Sequence, residues 1–504
     1  MDPLSPIRLP PVDLAGVAPL VLLTIAALLA LVADLFARGT THEDESRDEP
    51  LLAFWITLLG LAAALFVVLF QAGALERYAG DSLSGMFRVD AFGLFFTAIL
   101  LLGSFLAVLL TVGYARREGF HTGEYYFLLL MAAAGGILMA QSANLVTIFL
   151  GLELLSVSVY VLTGFERDRS RSVEAALKYF LLGAFSTGFF LYGIALLYGA
   201  TGSFHLDAIA AAAPAAGEGL LVPAGIVLLL VGFGFKVAAA PFHQWSPDVY
   251  EGAPTPVTAF MAAVVKAAAF AAFVRVFLAA FGGFESWVPL LAALAVVTML
   301  VGNLAALGQT SVKRLLAYSS VAHAGYLLVA LAARNELGAA SFLFYLLAYT
   351  LMTMGAFGVV AALGRRGEPN ERLEDLAGLG SRQPFLAAAM AVFMFSLAGI
   401  PPTAGFIGKF YIFGAALDAG LGWLAVVMVL ASVVSLYYYL KVTVVMYMRE
   451  APVPGKLRAD PLLVAALAIA LLGVIQLGVF PGPVIELAGR SVAALFDGGP
   501  VALP

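Results

Sequence analysis

The stretch "GFGFKVAAAPFHQWSPDVYEG", residues 232–252, places Lys236 inside an apolar run and follows it with Pro241. Apolar runs recur along the chain, which is 62% hydrophobic and 12% charged, whereas soluble proteins carry about 25% charged residues. Runs of ~18 or more apolar residues are typical of membrane-spanning helices. The sequence therefore predicts an all-α, polytopic integral membrane protein.

Apolar runs, separated by glycine, proline and charged residues, predict about fourteen spans. They are continuous rather than alternating, which excludes a transmembrane β-barrel. The first run, 14–37, is too long for a signal peptide and precedes the acidic stretch "THEDESRDEP" instead of a cleavage site. The predicted limits are 14–37, 51–72, 89–113, 125–141, 144–164, 173–199, 220–241, 257–281, 288–308, 315–333, 339–363, 383–418, 421–447 and 460–481.

Lysine and arginine in the loops predict the orientation, because cytoplasmic loops carry an excess of these residues. With the N-terminus outside, 16 of the 27 basic residues fall in inner loops and 5 in outer segments. Both termini are therefore expected on the outer side. The inner residues are Arg38, Arg47, Arg116, Arg117, Arg167, Arg169, Arg171, Lys313, Arg314, Arg365, Arg366, Arg372, Arg382, Arg449, Lys456 and Arg458, and the outer ones are Arg8, Arg77, Arg88, Arg334 and Arg490.

The composition gives little support for a metal site or for redox chemistry in this chain. The chain contains no cysteine, which excludes thiolate-bound iron–sulfur clusters, thiolate metal sites and disulfides within it. The five histidines, His42, His121, His205, His243 and His323, do not have metal-ligand spacing. No metal is predicted.

Several charged residues fall within the predicted spans. A charge at bilayer depth is costly and indicates function, unless a long side chain near a span end reaches the headgroups. Glu153 and Lys266 each lie about nine residues into their spans, or ~14 Å deep, and are predicted to be functional. Lys236 lies about sixteen residues past Leu220, and amphipathic sequence continuing through Trp245 would place it centrally, so it is also predicted to be functional.

A third lysine within the predicted spans follows a predicted helix break. As one straight helix, 383–418 would be ~50 Å long, against a hydrocarbon core of ~30 Å. Pro401, Pro402 and Gly405 predict the break, and Lys409 follows it. A broken helix with a buried cation is typical of ion-carrying membrane proteins.

The remaining charges near span ends are ambiguous or favour a simple interpretation. Lys178 follows Glu174 by four residues, so an ordinary salt bridge and a functional role both remain open. Lys441 and Arg275 are predicted to snorkel.

Polar side chains also occur mid-span around His323, which has Ser319 four residues before it and Tyr326 three after. A histidine at this depth suits proton relay, because its pKa is ordinarily near neutrality. The next span carries a polar stripe, for which interhelical hydrogen bonding is an equally good interpretation. The stripe consists of Ser341, Tyr345, Tyr349 and Thr353.

A lysine removed from water loses the hydration of its ammonium, which favours release of the proton, whereas a nearby carboxylate favours the charged form. A row of buried lysines with Glu153 nearby is therefore predicted to form a switchable proton path.

The order of the spans predicts an internal repeat. Spans 4–8 and 9–13 form two groups of five, and an odd number inverts the second group in the membrane. The broken spans, which contain Lys236 and Lys409, are the fourth of each group, the expected place of a transport site. The predicted divisions are an N-terminal three-helix segment at 1–123, a first five-helix repeat at 124–281, a second at 282–447, and a C-terminal helix and tail at 448–504.

Long motifs now indicate a family. "GFGFKVAAAPFHQWSPDVYEGAPTPVTAFMAAVVK" (232–266) resembles the signature of the antiporter-like, proton-translocating subunits of respiratory complex I, the NADH-quinone oxidoreductase, and its "PDVYEGAPTPVTAF" form resembles the subunit N branch. The resemblance covers about residues 85–450. Further matches, in the same order as in the family, are "FLGLELLSVSVYVL" (149–162), "RSVEAALKYFLLGA" (171–184), "QTSVKRLLAYSSVAHAGYLLVAL" (309–331) and "SLAGIPPTAGFIGKFYIF" (396–413).

The resemblance implies a role for each matching residue. Glu153 would be the buried glutamate and Lys178 its partner. Lys236 would be the central lysine, Lys266 the connecting one and Lys409 that of the outward half-path, with His323 lining the route. Residues 38–50 and 451–504 have no match, and their roles stay open.

The resemblance also implies the setting of the chain. It would hold no cofactor, with NADH, FMN, iron–sulfur clusters and quinone in partner subunits of a bacterial cytoplasmic membrane complex. Its expected partners are other complex I membrane subunits, including sister antiporter-like subunits, together with membrane lipids and protons, and no nucleic acid.

The predicted function is proton translocation driven by redox chemistry in partner subunits, with no bond chemistry in this chain. The first alternative is a subunit of a multisubunit secondary cation/proton antiporter, which buried charges and broken helices fit equally well. The second is a structural membrane anchor, for which several costly buried charges are physically implausible.

Overall fold

The computed structural model of the protein describes residues 13–39, 51–120, 122–216, 219–364, 370–451, 459–493 and 495–496. Most of these residues are helical, and one short antiparallel hairpin joins β1 (Gly80–Ser82) to β2 (Phe87–Val89). The helices are α1 Ala18–Gly39, α2 Leu52–Gly73, α3 Leu75–Tyr78, α4 Ala91–Glu118, α5 Gly123–Ala140, α6 Leu145–Thr163, α7 Ser170–Thr201, α8 Leu206–Ala216, α9 Leu221–Lys236, α10 Trp245–Gly252, α11 Thr255–Phe260, α12 Lys266–Arg275, α13 Val288–Leu307, α14 Val312–Ala332, α15 Glu336–Leu363, α16 Leu379–Arg382, α17 Pro384–Ala398, α18 Ala404–Asp418, α19 Gly422–Met448, α20 Pro461–Val479 and α21 Gly482–Ala493, with π-helical turns at Met261–Val265 and Val276–Ala280 and a 3-10 turn at Leu373–Leu376.

Twelve helices within the described residues are long and apolar enough to cross a membrane. One of them, Thr255–Ala280, consists of α11, α12 and the two π-helical turns. The predicted all-α membrane architecture is confirmed. The predicted spans 220–241 and 383–418 are each divided into two shorter helices, α9 with α10 and α17 with α18. The count of fourteen spans and the division into repeats therefore stay predictions.

Short polar side chains mark where many of the long helices begin. The Asp90 carboxylate accepts a hydrogen bond from Gly93 N at 2.7 Å, Asn144 from Val146 N at 2.9 Å and Asn335 from Gly338 N at 2.7 Å. Such N-caps satisfy backbone N–H groups that have no partner inside the helix. The chain therefore places capping residues between its apolar runs.

The first break follows Lys236, the last residue of α9. Ala238 adopts a left-handed conformation with φ 58°, and Ala239 N donates to Gly234 O at 2.8 Å, which closes the helix end. Pro241 has no N–H with which to continue the helix. The chain then turns and resumes helical structure at Trp245.

The second break lies where the sequence predicts it. Gly399 closes α17 with φ 87°, and Pro401 and Pro402 precede the start of α18 at Ala404. A Cβ on Gly405 would lie 1.8 Å from the carbonyl oxygen of Ser396. Glycine is required there because the two half-helices approach so closely.

The most enclosed helices are the one from Thr255 to Ala280, together with α4, α14 and α15, whereas α1, α2 and α7 expose most of their length. Apolar surface on the outer helices matches a lipid environment or other membrane subunits. The helices that carry Lys266, His323 and the polar stripe of α15 are therefore among the most buried in the protein.

Arg275 corrects one sequence prediction. It does not snorkel: its side chain is 2% exposed, and its guanidinium donates to both carboxylate oxygens of Asp90, at 2.6 and 2.7 Å, and to Ala140 O at 3.1 Å. The prediction is wrong because α4 and α5 enclose this end of the helix. Lys441 is half-buried in α19, and its snorkelling stays a prediction.

Lys313, counted above as an inner-loop cation, lies in the first turn of α14 and is 1% exposed. Its ammonium donates to Ala253 O at 2.7 Å and to Glu371 at 3.1 Å. Several loop cations and two histidines fall outside the described residues, so the structure does not test the orientation through them. They are Arg8, Arg47, Arg365, Arg366, Lys456, Arg458, His42 and His121, and the side chain of Arg38 is likewise outside the description.

Candidate proton path

Lys236 is held by hydroxyl groups and aromatic rings. Its side chain is 3% exposed, and its ammonium donates to Ser156 Oγ at 2.6 Å and to the Tyr160 hydroxyl at 3.5 Å. The rings of Tyr160 and Tyr179 have their centroids 5.3 and 5.5 Å from Nζ. Cation–π attraction and hydroxyl acceptors both stabilise an ammonium out of water.

Glu153 lies on α6, one turn before Ser156. It is half-buried, and its carboxylate accepts a hydrogen bond from Thr187 of α7 at 2.9 Å. Glu153 therefore lies one turn from Ser156, a partner of Lys236, and is less enclosed than that lysine.

Lys178 is paired differently from the hypothesis that joined it to Glu153. Its ammonium contacts Glu174 at 2.7 Å and Asp248 at 2.8 Å, and its side chain is 42% exposed. The salt bridge with Glu174, which the sequence left open, is present in the structure. Asp248 also accepts from Arg314 at 2.7 Å, so it links α7, α10 and α14 beside a polar pocket of about 150 Å³.

Lys266 is fully enclosed, with 1% of the residue exposed. Its ammonium donates to the carbonyl oxygen of Ser320 at 2.7 Å and also to the Ser320 hydroxyl. The ring centroid of Tyr349 lies 5.8 Å from Nζ. These partners are a backbone carbonyl, a hydroxyl and an aromatic ring, and none of the three carries a formal negative charge.

His323 lies one helical turn beyond Ser320 in α14 and is 1% exposed. Its Nε2 is hydrogen-bonded to the Tyr439 hydroxyl at 3.0 Å and its Nδ1 to the Tyr345 hydroxyl at 2.6 Å. Both ring nitrogens therefore have a partner that can donate or accept a proton.

Lys409 is held mainly by backbone. Its side chain lies beside the end of α17, where its ammonium donates to Leu397 O at 3.0 Å and to Ala398 O at 3.1 Å. A third bond joins it to Ser432 Oγ at 2.7 Å. The ring centroid of Tyr326 lies 4.7 Å from Nζ.

Aromatic neighbours connect Lys266 to Lys409 without interruption. Tyr349, next to Lys266, has its ring centroid 5.1 Å from that of His323. The His323 and Tyr326 centroids are 5.4 Å apart, and Tyr326 adjoins Lys409. The structure thus brings Lys266, His323 and Lys409 into one buried row.

Sequence reasoning missed several partners of Lys236 and of this row. Ser156 and Tyr160 follow Glu153 by three and seven residues, a helical spacing that could have identified them. Ser320 precedes His323 by three residues and carries a similar signal. Ser432 and Tyr439, on α19, gave none, because nothing in the sequence tells which side of that helix meets α14.

Within the described ranges, no group of three or more His, Asp and Glu side chains is arranged to hold a metal ion. The row is made of lysine, histidine, serine and tyrosine side chains. This chemistry suits proton exchange and internal hydration.

Comparison with known proteins identifies the family to which the chain belongs. Residues 142–435 match the family model of the "NADH:quinone oxidoreductase/Mrp antiporter" transmembrane proteins. The NADH-quinone oxidoreductase subunit N of Trichlorobacter lovleyi is 47% identical over 489 residues, covering 95% of this chain and 97% of the relative.

Solved structures agree. A chain of respiratory complex I from Thermus thermophilus, determined with bound aureothin, is 40% identical with a TM-score of 0.78, covering 94% of this chain and 99% of that one. A chain of the Mrp complex from Dietzia sp. shares the fold with a TM-score of 0.85 at 23% identity, covering 96% and 98%. The chain belongs to the NADH:quinone oxidoreductase/Mrp antiporter family of membrane subunits, and within it to the subunit N group.

Proposed function

We propose that the chain is a proton-translocating membrane subunit of an NADH-quinone oxidoreductase. Identity of 47% to a subunit N over almost the whole length supports membership of that complex. The buried row from Lys266 through Tyr349, His323 and Tyr326 to Lys409 is the single observation that carries the transport role.

Each predicted site residue has a role in this proposal. Glu153 sets the electrostatic environment of Lys236, which loads a proton. Lys266 receives it, and His323 relays it towards Lys409, the group of the outward half-path. Lysines are suited to this task because a change in hydration or in a neighbouring charge shifts the balance between ammonium and amine.

Coupling to redox chemistry would act through Lys178. Two alternative pairings of this lysine, with Asp248 and Glu174 or with Glu153, would change the field at Lys236. The observed pairing with Asp248 and Glu174 is one of these two arrangements. Its half-exposed side chain has the freedom that such a switch requires.

The chain itself would perform no redox chemistry. NADH, FMN, iron–sulfur clusters and quinone would bind in partner subunits, and the partners would include sister antiporter-like subunits in a bacterial cytoplasmic membrane. Both termini would face the outer side, as the excess of basic residues in the opposite loops indicates.

The decisive experiment replaces Lys236 by Ala in the assembled complex, reconstituted in liposomes. We expect fewer protons translocated per NADH oxidised, because no other group in the hydroxyl site of Ser156 and Tyr160 can carry the charge. The matched control is Lys441→Ala, which removes a half-buried lysine of α19 outside the row. An unchanged proton-to-electron ratio in Lys236→Ala would refute the proposal.

Purification separates this function from that of a secondary antiporter, whose fold is shared. We expect the chain to co-purify with subunits that contain flavin and iron–sulfur clusters. A cofactor-free assembly exchanging protons for another cation would instead support the antiporter. A purely structural anchor would tolerate apolar residues at Lys236, Lys266 and Lys409 without loss of pumping.

A further inference from the structure

We propose that Tyr179, Ser246 and Tyr250 form a hydroxyl-lined proton route from Lys236 to Lys266, joined by internal water molecules. The inference rests on the proposed function, since it supplies the step between the first two lysines of the path. Direct side-chain neighbours connect Lys266 to Lys409, whereas the partners of Lys236 and Lys266 lie on different helices, α6 and α14.

Tyr179 begins the route. Its ring lies next to Lys236 Nζ and stacks on Trp245 with centroids 4.4 Å apart. The residue is fully buried, yet its hydroxyl has no hydrogen-bond partner among the described residues. A phenylalanine would make the same ring contacts, so packing alone does not account for this hydroxyl.

Ser246 provides a second buried hydroxyl without a partner in the described part of the chain. It lies in the first turn of α10, four residues before Tyr250, so the two side chains share one stripe of that half-helix. The half-helix packs against α7, which carries Tyr179, and against α14, which carries Ser320. The break after Lys236 therefore places hydroxyl groups between the two helices.

Tyr250 ends the route at Lys266. It is 1% exposed, and its ring centroid lies 6.0 Å from that of Trp245. Its hydroxyl is paired with the side chain of Ser320, the residue that accepts the hydrogen bond of the Lys266 ammonium. Buried hydroxyls thus lie in the first turn of α10, at Ser246, and towards its other end, where Tyr250 adjoins Ser320.

Buried polar groups in proteins almost always have a partner, which is either protein or ordered water. An internal water needs two to four polar partners in a polar site, and the Tyr179 and Ser246 hydroxyls supply donors and acceptors of this kind. An apolar α10 would have sealed the two lysines from each other. The composition of its buried stripe instead favours water between them.

The proton balance is closed within this route. One N–H bond of the Lys236 ammonium breaks as a water molecule takes up the proton. Each hydroxyl then accepts a proton on oxygen and donates its own, so it is regenerated, and a new N–H bond forms on the neutral amine of Lys266. No other reactant is consumed.

The test uses the assembled complex in liposomes with Tyr179→Phe, which keeps the ring beside Lys236 and removes only the hydroxyl. We expect a several-fold lower rate of proton translocation and an altered H₂O/D₂O isotope effect on that rate, which a purely structural defect would not alter. Ser246→Ala is the second variant, so the test survives if one variant fails to assemble. The double variant is expected to be the most impaired.

Tyr125→Phe is the matched control. It removes the hydroxyl of another buried tyrosine, which is bonded to Thr111 at 3.1 Å and lies outside the row; we expect both translocation and the isotope effect to be unchanged. Normal translocation in both Tyr179→Phe and Ser246→Ala, with Lys236→Ala impaired, would overturn this inference alone. Normal translocation in Lys236→Ala would overturn the proposed function as well.

Discussion

The two broken helices each hold a buried lysine, but they do so with different groups. Lys236 is the last residue before its break, whereas Lys409 lies in the half-helix that follows the other break. Side-chain hydroxyls and aromatic rings hold Lys236. Two backbone carbonyls at the end of α17 and one serine hydroxyl hold Lys409.

This difference has an electrostatic consequence. The last carbonyls of a helix have no partner within it and carry the negative end of the helix dipole. Lys409 therefore faces backbone acceptors whose positions are fixed by the helix. The hydroxyls around Lys236 can rotate and exchange protons. In the proposed path, the first site would suit proton exchange and the second would hold the proton before its release.

The largest expected effect comes from Lys409→Ala. It removes the cation and leaves the Leu397 and Ala398 carbonyls without their bonds, at about 1–3 kcal/mol for each buried acceptor. We expect loss of proton translocation, as for Lys236→Ala, but with a lower melting temperature of the complex as well. Lys409→Arg, which keeps the charge, is the control. Equal melting temperatures for the complexes with Lys409→Ala and Lys236→Ala would contradict this difference between the two sites.

Ser156→Ala is expected to have the next largest effect. It removes the closest partner of Lys236, and a hydrogen bond to a charged group contributes about 1.5–3 kcal/mol, so the ammonium form becomes at least tenfold less favourable. Ser432→Ala should affect translocation less, because Lys409 retains two carbonyls. The measurement is the proton-to-electron ratio of both variants, and a stronger effect of Ser432→Ala would break the distinction.

Gly399→Ala should have a smaller effect, chiefly on stability. At φ 87° a side chain costs about 1–2 kcal/mol, and the new Cβ would lie 3.1 Å from Lys409 Cδ. We expect a lower unfolding temperature and a modest loss of translocation. Thermal unfolding of the purified complex measures the first, and an unchanged temperature would show that the break does not depend on this glycine.

Ala238→Gly is the smallest change and completes the comparison. Ala238 already adopts a left-handed conformation with φ 58°, so glycine relieves about 1 kcal/mol of strain and loses roughly as much to the entropy of the unfolded chain. We expect no change in translocation and a stability change within about 0.5 kcal/mol. A marked loss of pumping would mean that the Ala238 methyl group positions Lys236.

Much of the site was predictable because depth in a membrane can be counted along a sequence. The break at Pro401 and Pro402, the pairing of Lys178 with Glu174 and the deep position of Lys266 follow from helix geometry and proline chemistry. Arg275 shows the limit. Its distance from a span end predicted snorkelling, but the neighbours that enclose it belong to helices far away in the chain.

The sequence by itself determined the membrane class, the approximate positions of most helices and the burial of Lys236, Lys266 and Lys409, because each follows from local hydropathy and from the energetic cost of a charge in lipid. Only the tertiary structure decided which hydroxyls and carbonyls hold each lysine, that Lys178 binds Asp248 instead of Glu153, and that Tyr349, His323 and Tyr326 join Lys266 to Lys409. The physical reason is that these partners lie on other helices, and helix packing depends on side-chain contacts that no local pattern encodes.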